Sequence, residues 1–451
     1  MLRKPFLLSM LKKALWVFTV LLLLPLQPAG AAAPWGTNQM VALTDSTIEE
    51  RPRMAAGPGG EMVAVYSLEY DIYAATRNAG ASVWNSPVKI TDPTRSLAIL
   101  SDVAVATTGT IYTVWTDKRA NFNNDIYFSR SIDGGVTWST NSNIIPAINR
   151  DPNQVEPTIA LDPRPGYGNV IYVAYFEKPA SGQMFVDFSK STDGGSTWSF
   201  QRLTYPAPPG CPSPIYPTCP TIYKIGSLGL AVDSQGRISL IFDEVGTEDT
   251  RIFFTTSNDG GQSWEELLPL TPLDTCRVAH HPALALGNTG VVYVAYVQTN
   301  HTGCDNSGTE KIQLKLLRSA NEGQNWEKPV LVGPLTLSKD ILQNLGLAVL
   351  AHGSGVTDDE IVIAWSDYPA EFQLYSLQSQ NGGVDWGVPV MISDAAGAVN
   401  INADFPELVT SNDVVHAIWR DGRRNTSLRI PYAAAMTQSF EYAVFMPLII
   451  R

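Results

Sequence analysis

Five acidic residues recur at one place in a repeated pattern, and repeated carboxylates are the groups of this chain best placed to do chemistry. Each stands two residues after the aromatic that ends an apolar run: Asp117 after Trp115, Glu177 after Tyr175, Glu244 after Phe242, Asp367 after Trp365 and Asp421 after Trp419. A partial acidic ring of this kind can hold a structural cation or bond sugar hydroxyls. The competing expectation is that each carboxylate accepts N–H bonds from its own turn. Arginine follows two of them, as Arg119 and Arg423, while Arg51 and Arg53 flank Pro52 nearer the N-terminus. Guanidinium forks match a carboxylate, so these four are candidate carboxylate ligands. His280 and His281 are adjacent, and neighbours on an extended strand point opposite ways, which argues against a metal pair. No other cofactor is implied.

The elements that would position these groups are short strands. The aromatic pattern occurs seven times, the two copies without an acid being Tyr66/Leu68 and Tyr296/Gln298. After most copies comes a second repeat, S-x-D-G-G-x-x-W, complete at 131–138, 191–198 and 257–264. Asn321 and Asn381 replace the aspartate in relaxed copies at 319–326 and 379–386, and a decayed copy ends at Trp84. Such a segment reads as a tight hairpin. Glycine supplies the positive φ, and Asp133, Asp193 and Asp259 accept N–H bonds within their loops. Trp138, Trp198, Trp264, Trp326 and Trp386 are expected to hold each hairpin to the body of its own sheet.

These boxes resemble the Asp-box (BNR) repeats of the sialidase superfamily, and the resemblance implies a β-propeller. From Trp84 to Trp386 the tryptophans lie 54, 60, 66, 62 and 60 residues apart, one four-stranded blade per unit. The expected fold is all-β, a seven-bladed propeller over residues 35–435, with a six-bladed sialidase-like ring as the alternative. The seventh unit, about 404–435, lacks a fourth strand. The segment from Trp35 resembles the one from Trp84 and can supply it, closing the ring and removing exposed edges.

The resemblance also implies that inner strands line a central channel, with the long loops on one face and the Asp-box turns on the other. The family's chemistry needs three arginines, a Tyr nucleophile paired with Glu, and an Asp acid/base. Its first arginine lies in an Arg-Ile-Pro segment. Here Glu50-Arg51-Pro52 aligns only with Glu50 at the arginine position, and no Tyr/Glu pair stands out. The leading expectation is therefore a propeller that binds an extracellular glycan or protein through the loop-rich face. The alternatives are an exo-α-sialidase or related glycoside hydrolase that uses Arg51 or Arg53 with Arg119 and Arg423, and a structural envelope protein.

Residues 1–31 read as a signal peptide. Arg3, Lys4, Lys12 and Lys13 precede an uncharged apolar run, and Ala29-Gly30-Ala31 offers a cleavage site. A secreted or cell-surface location follows. Losing those four cations leaves 27 basic against 43 acidic residues, a net charge of −16. Such a surface repels nucleic acid and anionic membranes. Four cysteines suit export. They allow three pairings, of which loop position favours Cys211–Cys219 and Cys276–Cys304. The apolar tail, 436–451, is too short for a helical span. A monomer is expected.

Overall fold

The computed structural model describes residues 35–42, 51–92, 97–119, 123–145, 153–178, 184–203, 224–245, 250–272, 276–287, 290–300, 311–333, 337, 345–351, 357–367, 373–393, 404–425 and 428–436, with backbone alone at 224–226, 244–245, 423–425 and 428–430. Residues 1–31, expected to be a signal peptide, most of the tail, Cys211, Cys219 and Cys304 fall outside them.

Each apolar run of the sequence becomes the second strand of a four-stranded antiparallel sheet. These second strands are Met62–Leu68, Ile111–Asp117, Ile171–Lys178, Ile238–Val245, Val292–Asn300, Glu360–Asp367 and Val414–Asn425. The runs are buried on both faces, which is why they read as nearly continuous apolar segments rather than as alternation. Seven sheets form the blades of a propeller. Each inner strand packs against the next, and that of blade 7 (Asp404–Ser411) against that of blade 1 (Arg53–Ala56). The described residues contain no helix, so none of them forms one able to cross a membrane.

The N-terminus closes the ring. Gln39–Met40 pairs with Leu428–Ala435, Gln39 opposite Ala433 and Met40 opposite Tyr432. Trp35 bridges Met436. From this strand Trp35 Nε1 donates to Ser376 Oγ at 2.8 Å, and Asn38 Nδ2 to the Ile392 carbonyl at 2.8 Å, both in blade 6.

Seven apolar clusters sit at the seven interfaces between adjacent blades rather than in one centre. The box tryptophans belong to this arrangement. Trp198, Trp264 and Trp326 meet Phe128, Phe188 and Phe254 edge-on, with centroids 5.3, 5.0 and 5.0 Å apart. Each phenylalanine is in the preceding blade, so these tryptophans join blade to blade, contrary to the expectation that they hold a hairpin to its own sheet. The second box glycine makes the approach possible. Gly195 has φ +90°, and a Cβ there would lie 2.2 Å from the Phe128 ring. Within the box, Asp193 Oδ1 accepts from Thr197 N at 2.9 Å and from Ser191 Oγ at 2.8 Å. Asn321 Oδ1 accepts from Asn325 N and Ser319 Oγ at 2.9 and 3.1 Å, so asparagine preserves the turn without the charge.

Candidate functional site

The inner strands carry a recurring irregularity at the end where they begin. In blades 2, 3, 4, 5 and 7 two residues oppose one on the second strand, a β-bulge, and the register shifts there. In four of them the first bulge residue is left-handed: Leu100 (φ +54°), Glu156 (+55°), His281 (+53°) and Phe405 (+54°). None is glycine, and each conformation costs on the order of 1–3 kcal/mol. A bulge re-aims side chains and is over-represented at barrel rims and beside active sites. Here the re-aiming happens around one mouth of the central channel.

That mouth encloses about 220 Å³ and is lined by residues of all seven inner-strand segments, including Arg51, Arg53, Asp102, Thr158 and Glu407. Three acids tie neighbouring blades together there by accepting backbone N–H groups. Asp102 Oδ2 takes Ile159 N at 2.9 Å and the Thr158 hydroxyl at 3.0 Å. Asp243 takes Ser227 N at 2.5 Å and His281 N at 3.0 Å. Glu407 Oε2 takes Met54 N at 2.7 Å, while Oε1 takes Arg53 Nη1 at 2.9 Å. A second ion pair crosses over blade 2, from Arg51 Nη2 to Glu156 Oε2 at 3.7 Å. Burial pushes the Glu407 carboxyl up to about 7; Arg53 opposes that shift and Asp102 adds to it.

The arginines named from sequence are distributed unequally. Arg51 and Arg53 share the mouth. Arg119 is held in blade 2: Nη2 and Nε reach Asp117 Oδ2 at 2.6 and 2.8 Å, and Nη1 reaches Asn141 Oδ1 at 3.1 Å and Asp92 at 3.3 Å. Its guanidinium lies 4.4 Å from the Tyr127 ring centroid. For Arg423 and Glu244 only the backbone is described.

Among the acids after the aromatics, Asp117, Glu177 and Asp421 are buried and engaged. Asp117 also accepts Arg119 N, Leu97 N and Trp115 Nε1 at 2.9, 3.2 and 3.2 Å. Glu177 pairs with Arg202, which also holds Asp187 Oδ1 at 3.1 Å. Asp421 accepts Trp419 Nε1 at 2.8 Å. Asp367 ends its strand half-buried. At the opposite end of the blades, where third strands turn into fourth, lie the boxes.

Two sequence readings change. His280 and His281 do not point apart, because the bulge at His281 brings their rings to 4.8 Å, edge to face. The acids that line the mouth are Asp102 and Glu407, with Glu156 reaching the mouth residue Arg51 and Asp243 buried behind in blade 4; sequence reasoning passed over all four. One signal was available for two of them. Glu156-Pro157 and Pro406-Glu407 repeat the proline of Arg51-Pro52-Arg53 at the start of other units.

The BNR repeat-like domain family matches residues 69–417 of this chain. None of the curated proteins compared with it matches. Among solved structures, a PL25 ulvan lyase bound to -[GlcA(1-4)Rha3S]- is similar with TM-score 0.54 and 11% identity, covering 85% of this chain and 93% of that one. The Hadza microbial sialidase Hz136 is similar with TM-score 0.50 and 14% identity over 84% and 73% of the two chains. A protein of unknown function from Dyadobacter fermentans gives TM-score 0.50 and 14% identity over 77% and 96%. At these identities the likeness is one of fold.

Proposed function

This chain belongs to the BNR repeat-like domain family, and from that premise we propose that it is an exported propeller that binds a glycan at the mouth of its central channel. One observation carries the reading: two guanidiniums and two carboxylates, Arg51, Arg53, Asp102 and Glu407, line an open mouth on the axis, and Glu156 reaches Arg51 beside it. Closely set donors and acceptors on rigid strands suit vicinal hydroxyls, and pre-positioned polar groups lose little on binding. Two of the similar folds reported above are glycan-active by name. Residues 1–31 support export, and the mature protein would then start near Ala32.

Binding is preferred to sialidase chemistry on a geometric ground. A clamp built from Arg51 or Arg53 with Arg119 requires Arg119 at the mouth, and Arg119 is engaged by Asp117, Asp92 and Asn141 instead. The test is a glycan array probed with wild type and with the Arg51→Ala/Glu156→Ala double variant, which removes an ion pair without leaving one buried charge unpaired. Binding that weakens at least tenfold in the variant, with unchanged thermal unfolding, supports the proposal. An array that stays empty for wild type refutes it. Release of sialic acid from a fluorogenic sialoside would establish the enzyme instead.

A further inference from the structure

We infer that Glu156 sets the ligand class of this mouth: by occupying the Arg51 guanidinium from within the chain, it suits the site to neutral, hydroxyl-rich glycans and closes it to carboxylate-bearing ones. The inference rests on the glycan reading above and deepens it.

Arg51 stands at the start of blade 1 and Glu156 at the start of blade 3, so their 3.7 Å contact spans the whole of blade 2. Their side chains are 16% and 27% exposed, at the rim rather than on the outer surface. Glu156 reaches this position through its left-handed bulge, which is fastened by Glu156 N donating to Thr116 Oγ1 at 3.2 Å. The corresponding positions hold Leu100, His281 and Phe405, so among these four an acid is special to the blade that faces Arg51. The other guanidinium is engaged in the same way. Arg53 Nη1 lies 2.9 Å from Glu407 Oε1, and Glu407 Oε2 is taken by Met54 N.

Each arginine of the mouth thus already has a carboxylate, and Asp102 adds a third. An incoming carboxylate would have to displace Glu156 or Glu407 from its arginine, in a chain whose net charge is −12. A hydroxyl makes no such demand. It can donate to Glu156 while accepting from Arg51, leaving the ion pair in place. Discrimination then comes from a repulsive group as much as from an attractive one.

The experiment uses the full chain on an array of matched pairs: lactose with sialyllactose, and methyl-esterified with free oligogalacturonate. Wild type is expected on the neutral members. Glu156→Gln, which keeps shape and hydrogen bonding but removes the charge, should gain at least tenfold on the acidic partner of whichever backbone wild type binds. Arg51→Gln in that background should abolish the gain. If Glu156→Gln unfolds, Glu156→Asp withdraws the carboxylate by one methylene and should give a smaller gain in the same direction. Preference of wild type for the acidic members, or no gain in either variant, overturns the inference while leaving glycan binding intact. Silence of wild type on every member refutes the glycan reading itself.

Discussion

Single residues in this propeller owe their roles to where burial or a close approach places them. Gly195 needs both a left-handed backbone and an empty Cβ position against Phe128. Gly195→Ala should therefore cost on the order of 3 kcal/mol, combining backbone strain with overpacking, read as a lowered urea midpoint at unchanged slope. Charged residues divide by environment. Asp193 and Asp259 are held down to about 2, first by the Thr197 and Ser263 hydroxyls. Their contribution is complete above the ordinary value of 3.8 and is lost as pH falls towards 2. Glu407 and Asp187 behave oppositely, burial raising each to about 7. Folding favours their protonated forms, so that contribution is complete below their ordinary values, 4.5 and 3.8, and is lost as pH rises through about 7. Glu407→Gln should accordingly flatten the fall in melting temperature between pH 4.5 and 7. An unaltered slope in that window would show that Glu407 ionises freely in the folded protein.

At the scale of strands and turns, the box is a connector between blades. The edge-to-face contact of Trp198 with Phe128 has its equivalents in Trp264 with Phe188 and Trp326 with Phe254. A double-mutant cycle of Trp198→Ala with Phe128→Leu should give a coupling of about 1 kcal/mol, whereas independent sites would add without one. The box was legible because its turn requires glycines and an acceptor at invariant spacing, and spacing survives in one dimension. Its partner was not, because Phe128 lies 70 residues before Trp198. The inner-strand bulges were less legible still. No residue type forces a left-handed Leu100 or Phe405; both are held by the ladder on either side. The histidine pair was misread for the same reason, since the two-residue alternation of a strand fails at the one position where a bulge interrupts it.

The whole molecule is a ring of interfaces, and a ring fails at its seam. The seam is the strand Gln39–Met40 with Trp35, which is 5% exposed and bonded to Ser376. Trp35→Ala should cost about 3–5 kcal/mol and should open blade 7 to limited proteolysis before the others. Uniform cleavage around the ring would argue that closure adds nothing. Loss of the short outer strand would bare the eight-residue strand Leu428–Ala435, where a strand of another chain could pair, so the variant is expected to associate at high concentration.

The amino-acid sequence by itself determined the strand order within a blade and the need for closure, and it favoured seven blades over six, since each depends on apolar periodicity and turn chemistry that recur every 60 residues or so. It also singled out Arg51 and Arg53 as candidate carboxylate ligands, while the proline repeated at the start of several blades went unread. Only the tertiary structure decided which charges meet. Arg51 and Glu156 are 105 positions apart, and nothing local couples them. A bulge turns one of them inward, and the curvature of a sevenfold ring brings blades 1 and 3 to the same rim. Arg119 carries the same chemistry, but Asp117 two residues away captures it. Local hydrogen bonds commit a charged group first, and only long-range geometry decides which of the remaining ones share a site.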